Sequence, residues 1–112
     1  GQHIFISRKT ISDRCNNYRY LQLDLGHVDN EKLSFNIPPE CRNVILISNA
    51  GTINPIGKSA EITIQEMEYS LHVNCFGPLY ISQHLVKKTK EIGARLFILN
   101  ISSGAADHPI KG

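Results

Sequence analysis

Two apolar runs, Val44 to Ile47 and Leu96 to Ile101, each stop in small polar residues, Ser48-Asn49-Ala50-Gly51 and Ser102-Ser103-Gly104, with a long helical pattern between them. Near-continuous runs of Ile, Leu and Val read as strands buried on both faces, the habit of parallel sheets. A helix linking two such strands is a crossover, which returns the chain to start the second strand parallel to the first. The chain is therefore expected to be α/β, with a parallel sheet covered by helices. Ligands of such sheets sit beyond the carboxyl ends of the strands. Chemistry is expected at Ser7-Arg8, Asp24-Leu25, Asn49-Ala50-Gly51 and Ser102-Ser103.

The remaining elements follow from local signals. His3 to Ser7 is a β-branched and aromatic run that reads as a strand, and Tyr18 to Leu25 alternates enough to be another. Arg8 to Asn17 is polar and reads as a loop or short frayed helix, and Val28 to Phe35 as one or two helical turns closed by Pro38-Pro39. Gly51 to Ser59 is a loop by its Gly, Pro, Asn and Ser content. The long helix is expected from about Ile64 to about Glu91, opened by a Thr63/Glu66 capping box and stopped at Gly93. Met67, Leu71, Pro78, Leu79, Ser82 and Val86 fall near one stripe at helical spacing, while Lys87, Lys88 and Lys90 suit the negative end of the helix dipole.

Composition narrows the function classes. The chain has 112 residues, 41% hydrophobic and 20% charged, enough for one domain. A net charge of +2 with dispersed Lys and Arg argues against nucleic acid or an anionic membrane as the main partner. Cys15, Cys41 and Cys75 are odd in number and lack close pairing, which suits reduced thiols in a cytoplasmic protein. No apolar stretch reaches the ~20 residues of a membrane span. The five histidines make no ligand-spaced set on one element, so no metal is expected. Asn100-Ile101-Ser102 matches a glycosylation sequon inside a strand expected to be buried, and is set aside. Asp107 and His108 near Ser103 invite a hydrolase triad, but Ser103 stands in Ser-Ser-Gly rather than a Gly-x-Ser-x-Gly elbow.

In order, Ser48-Asn49-Ala50-Gly51, Val73-Asn74-Cys75-Phe76-Gly77-Pro78 and Leu99-Asn100-Ile101-Ser102-Ser103-Gly104 resemble the short-chain dehydrogenase/reductase family, and the resemblance runs from Ile4 onward. Residues 95–112 look most like the branch that includes sepiapterin and benzil reductases. The resemblance implies part of a doubly wound parallel sheet, Rossmann-like, in a single incomplete dinucleotide-binding domain over 1–112. It implies hydride transfer between NADP(H) and a ketone, aldehyde or alcohol, with a homo-oligomer as one assembly open to it. On this likeness Asn49, Ala50 and Gly51 form the turn that passes close to the cofactor, and Asp24 with the backbone of Leu25 contacts the adenine. Ser103 is the catalytic serine, and the backbone carbonyl of Asn74 holds a water of the proton relay. Pro78 gives that role a physical basis, since it has no N–H to offer the Asn74 carbonyl four residues back.

At the end of the first visible strand the family places an acid for the ribose 2′-hydroxyl of NAD, whereas this chain has Ser7-Arg8-Lys9. Cations there suit the 2′-phosphate of NADP. The family's first strand with its Gly-rich turn would precede Gly1, and its Tyr-x-x-x-Lys pair would follow Gly112. The chain by itself is accordingly expected to be inactive, and a non-catalytic fragment or interaction module on the same scaffold is the alternative. With the first strand absent, His3 to Ser7 and Val44 to Ser48 are expected to face each other with an empty place between them, to pair directly, or to take a strand from another chain.

Overall fold

The computed structural model describes residues 2–9, 18–28, 33 and 35–103. Among the described residues four strands form where the β-branched runs predict them: β1 (His3–Ser7), β2 (Tyr18–Gln22), β3 (Asn43–Ser48) and β4 (Arg95–Asn100). Both pairings are parallel, with Phe5 opposite Tyr20 in the first and Ile45 opposite Phe97 in the second. The second pair is closed by helices α1 (Ile64–Leu71) and α2 (Gly77–Ile92), which with the intervening π-helical turn His72–Phe76 make one crossover. This is a βαβ unit, the building block of an α/β sheet.

Strand β2 ends three residues before the expected Leu25. The cause is local: the Asp24 carboxylate accepts from the Gly26 N–H at 2.9 Å and caps a 3₁₀ turn over Leu25–His27. The expected helical turns over Val28 to Phe35 fall largely outside the described residues.

The capping box forms as its sequence requires. Glu66 N–H donates to Thr63 Oγ1 at 3.2 Å, and Thr63 N–H donates to Glu66 Oε2 at 2.8 Å. These bonds hold the Glu66 carboxyl below its ordinary pKa, the Thr63 backbone bond contributing most. At the other end Gly93 is left-handed (φ 69°), and the Gly93 and Ala94 N–H groups return to Lys90 and Thr89 carbonyls. That is the Schellman closure a C-terminal glycine allows.

The helix is not a single α-helix, and its buried stripe is not the expected one. Between α1 and α2 the Gly77 N–H donates to the His72 carbonyl five residues back. The residues that face the core are Val73, Gly77, Ile81, Leu85 and Thr89, whereas Met67, Leu71, Leu79 and Val86 are exposed. Buried Thr89 satisfies its hydroxyl by donating to the Leu85 carbonyl at 2.8 Å.

Ile81 and Leu85 of α2 meet Leu23, Leu33 and Phe35 in the core, and Ile4, Ile6, Val44, Leu46 and Leu96 from three strands pack against them. Both strand pairs therefore lie against the same apolar centre. They do not form one sheet: β1 and β3 are not hydrogen-bonded, and no Cα of one comes within 8 Å of the other. Neighbouring strands sit about 4.8 Å apart. No other strand among the described residues is inserted between them, as the first of the three expected arrangements requires.

Burial on both faces of the second pair was expected, and only one face is covered. Val44, Leu46 and Leu96 are half-buried toward the core, while Ile45, Ile47, Phe97 and Leu99 remain 68%, 61%, 52% and 53% exposed. The reason is geometric, since α2 lies on one side of this pair and nothing among the described residues lies on the other.

Candidate functional site

Within each strand pair, parallel pairing brings the two carboxyl termini and their polar residues to the same end. Beyond β1 the turn Ser7-Arg8-Lys9 is held from two sides. Lys9 N–H donates to Ser7 Oγ at 3.2 Å, and Gln22 Nε2 from β2 donates to the Arg8 carbonyl at 3.2 Å. The backbone of Arg8 is thus fixed while its side chain is exposed.

That side chain meets two residues distant in sequence. Arg8 Nη1 donates to the Tyr69 hydroxyl at 3.0 Å, and the Tyr69 hydroxyl donates to Asp24 Oδ1 at 3.2 Å. The same Asp24 oxygen caps the 3₁₀ turn, so cation, hydroxyl and carboxylate form a chain with every donor correctly directed. The Tyr69 hydrogen bond is the largest influence raising the pKa of Arg8 above its ordinary value. The Tyr69 ring lies so close over Gly26 that a Cβ at that position would overlap it, and the His27 ring lies 5.6 Å away, centre to centre. Tyr69 also lines an open cleft of about 260 Å³ with Asn54, Pro55, Gln65 and Glu66. The sequence of α1 alone carries no signal for this role of Tyr69, whose partners lie 45 and 61 positions away.

Leu25, in the 3₁₀ turn, presses against the helix. A Cβ on Gly77 would lie 2.8 Å from Leu25 Cβ and 3.0 Å from its carbonyl oxygen. Glycine is required there by this close approach.

Beyond β3, Asn49, Ala50 and Gly51 are exposed. The helix grips the end of this turn through Asn74, whose Oδ1 accepts from Thr52 N–H and whose Nδ2 donates to the Thr52 carbonyl, both at 2.8 Å. A Cβ on Gly51 would lie 3.3 Å from Asn74 Oδ1. Asn74 stands inside the π-helical turn, where Pro78 cannot supply the N–H that an α-helix would give its carbonyl. The expected water-holding role concerned that carbonyl; the side chain has this second task.

Ser103 follows β4, three residues past Asn100, which is paired with Ser48 immediately before Asn49. Ile101 N–H extends the ladder to the Ser48 carbonyl at 3.0 Å. Ser103 and the Asn49-Ala50-Gly51 turn thus leave the sheet side by side. Asp107 and His108 lie outside the described residues. The site has two parts: Arg8, Tyr69 and Asp24 at the ends of β1 and β2, and the Asn49 turn, Asn74 and Ser103 at the ends of β3 and β4. In the first part the Tyr69 contact uses one of the five N–H donors of the Arg8 guanidinium.

No family model matches the chain. It is 30% identical over 88 residues to the benzil reductase ((S)-benzoin forming) of Bacillus subtilis strain 168, covering 79% of this chain and 33% of that protein. The benzil reductase ((S)-benzoin forming) of Bacillus cereus is 31% identical over 70 residues, 62% of this chain and 28% of that one. The chain spans about a third of the length of the curated relatives it matches. Its fold is similar to that of the serine dehydrogenase crystal structure from Escherichia coli, with a TM-score of 0.67 at 19% identity over 100% of this chain and 55% of the other. The fold is a partial Rossmann-like α/β unit with parallel strands, and no helix among the described residues is long and apolar enough to cross a membrane. The reductase relatives support the expected short-chain dehydrogenase/reductase reading in sequence, and the dehydrogenase structure supports it in fold.

Proposed function

We propose that residues 1–112 are the dinucleotide-binding part, itself incomplete, of an NADP-dependent oxidoreductase that interconverts a small ketone or aldehyde and its alcohol in the cytoplasm. The observation that carries this reading is the convergence of the Asn49-Ala50-Gly51 turn, the Asn74 clamp and Ser103 at one end of a βαβ unit. When bound, the nicotinamide cofactor supplies the hydride. The small residues of the turn let the cofactor approach the backbone. Ser103 hydrogen-bonds the substrate carbonyl and holds it for reduction, and Asn74 offers its backbone carbonyl to a water of the proton relay while its amide fixes the turn. Asp24 with Leu25 borders the adenine. NADP rather than NAD is supported by the Arg8 cation at the end of β1, where the turn is anchored by Ser7 and Gln22.

Two relatives are named for the reduction of benzil to (S)-benzoin, so an aromatic 1,2-diketone is the first substrate to try. A homo-oligomer is the assembly we favour, and reduced Cys41 and Cys75 suit the cytoplasm.

The test is cofactor oxidation by the full-length protein with NADPH and benzil, followed by absorbance, with the product resolved on a chiral column. Turnover that is lost in Ser103→Ala is expected. If no carbonyl compound is reduced and neither NADPH nor NADH binds, the reading is wrong.

A further inference from the structure

The Arg8, Tyr69 and Asp24 chain ties the end of β1 to α1 and to the 3₁₀ turn, and its central member is not among the residues of the apolar core. Tyr69 is half-buried on α1, its ring rests on Gly26 and beside His27, and its hydroxyl is within hydrogen-bonding distance of both a guanidinium and a carboxylate. The Asp24 carboxylate is itself tied to the Gly26 N–H. The order of donors leaves the hydroxyl one role, to accept from Arg8 and donate to Asp24. An arginine side chain at the surface otherwise samples many rotamers, and fixing it costs conformational entropy.

We propose that Tyr69 is a positioning residue for cofactor choice: its hydroxyl, anchored on Asp24, holds the Arg8 guanidinium at the adenosine end of the cleft in the orientation that receives a ribose 2′-phosphate. This rests on the NADP reading above and adds a residue from a different element to it. Arg8 alone would offer charge; Arg8 held by Tyr69 offers charge already oriented, which is where a planar guanidinium gains its selectivity for phosphate. Tyr69 also lines the open cleft with Asn54, Pro55, Gln65 and Glu66.

The test measures equilibrium dissociation constants of NADPH and NADH for the full-length protein by fluorescence titration, in Tyr69→Phe, Arg8→Ala and the double variant. Tyr69→Phe keeps the ring on Gly26 and removes only the hydroxyl. It is expected to weaken NADPH roughly five- to tenfold, the scale of one hydrogen bond to a charged group, and to leave NADH within about twofold. The double variant is expected to be no worse than Arg8→Ala, because without the guanidinium the hydroxyl has nothing to hold. If Arg8→Ala lowers the NADPH preference while Tyr69→Phe does not, or if Tyr69→Phe weakens both cofactors alike, the positioning role is overturned and the NADP reading stands. If Arg8→Ala leaves the preference unchanged, the NADP reading itself falls and takes this proposal with it.

Discussion

The side-chain amide of Asn74 and the backbone of Thr52 exchange two hydrogen bonds of 2.8 Å each, one in each direction. Only a carboxamide can do this, since Oδ1 must accept and Nδ2 must donate at the same time. The pair joins the π-helical turn to the loop after β3, two elements that share no other hydrogen bond among those described.

Replacing Asn74 by Asp removes the donor and sets a carboxylate against the Thr52 carbonyl. At this exposed site the loss is expected to be about 1 kcal/mol, the net worth of a hydrogen bond partly replaced by water. The sharper readout is hydrogen exchange of the Thr52 amide, which should quicken in Asn74→Ala, where its Oδ1 acceptor is gone. Unchanged protection in Asn74→Ala would mean the clamp does not hold in solution.

Gly77 tests the packing of the helix on the 3₁₀ turn. Alanine in a helix interior usually gains up to about 1 kcal/mol over glycine. Here the new methyl would meet Leu25 Cβ at 2.8 Å and the Leu25 carbonyl oxygen at 3.0 Å, and overpacking of that kind costs about 1–3 kcal/mol. The second effect wins, so Gly77→Ala is expected to lower the urea midpoint. A raised midpoint would show that Leu25 and α2 are less closely packed.

Much of this architecture is legible in the chain because its signals are local. The Thr63/Glu66 box, the stop at Gly93 and the runs that become β1 and β3 each lie within a few residues of what they specify. The buried stripe of α2 was misread for a physical reason. Pro78, Ser82 and Val86, members of the stripe read from the spacing, are each one residue past Gly77, Ile81 and Leu85, which are buried. One residue is about 100° of helical rotation, and a phase begun at Met67 and Leu71 in α1 does not survive the extra residue of a π turn. Asp24 was expected within a strand, and its carboxylate instead ended that strand by capping the turn. Tyr69 was illegible as a site residue because its partners are 45 and 61 positions away.

His84 gives the fold a pH dependence. Its ring meets Phe35 edge-on at 5.1 Å, and its Nε2 is buried with no partner among the described residues. Burial chiefly, with Lys88 and Lys87 adding to it and Glu91 opposing, pushes its pKa below the ordinary histidine value of 6.5. The unfolded chain then binds a proton that the folded one refuses, between 6.5 and the depressed folded value. Stability is expected to be full above 6.5 and to fall as pH drops through that window. His84→Leu should flatten this part of the profile in urea titrations at several pH values. A slope that survives the substitution belongs to another group.

The uncovered face of β3 and β4 makes the last prediction. Ile45 pairs with Phe97 and Ile47 with Leu99 on one side of the sheet, and all four are more than half exposed. Parallel sheets are ordinarily covered on both sides, and a contiguous apolar patch on a soluble domain drives association. The chain of 112 residues is therefore expected to self-associate and to bind a hydrophobic dye. Ile45→Lys with Phe97→Glu places opposite charges directly across the strand pair, where they attract rather than repel. The double variant should sediment as a smaller species with the same helical circular dichroism, because neither side chain reaches the core formed by Leu23, Leu33, Phe35, Ile81 and Leu85. In the full-length protein the same pair should instead destabilise by several kcal/mol if another segment covers this face, since two unshielded charges would then be buried. Equal tolerance in both chains would show that the face stays open to solvent in each.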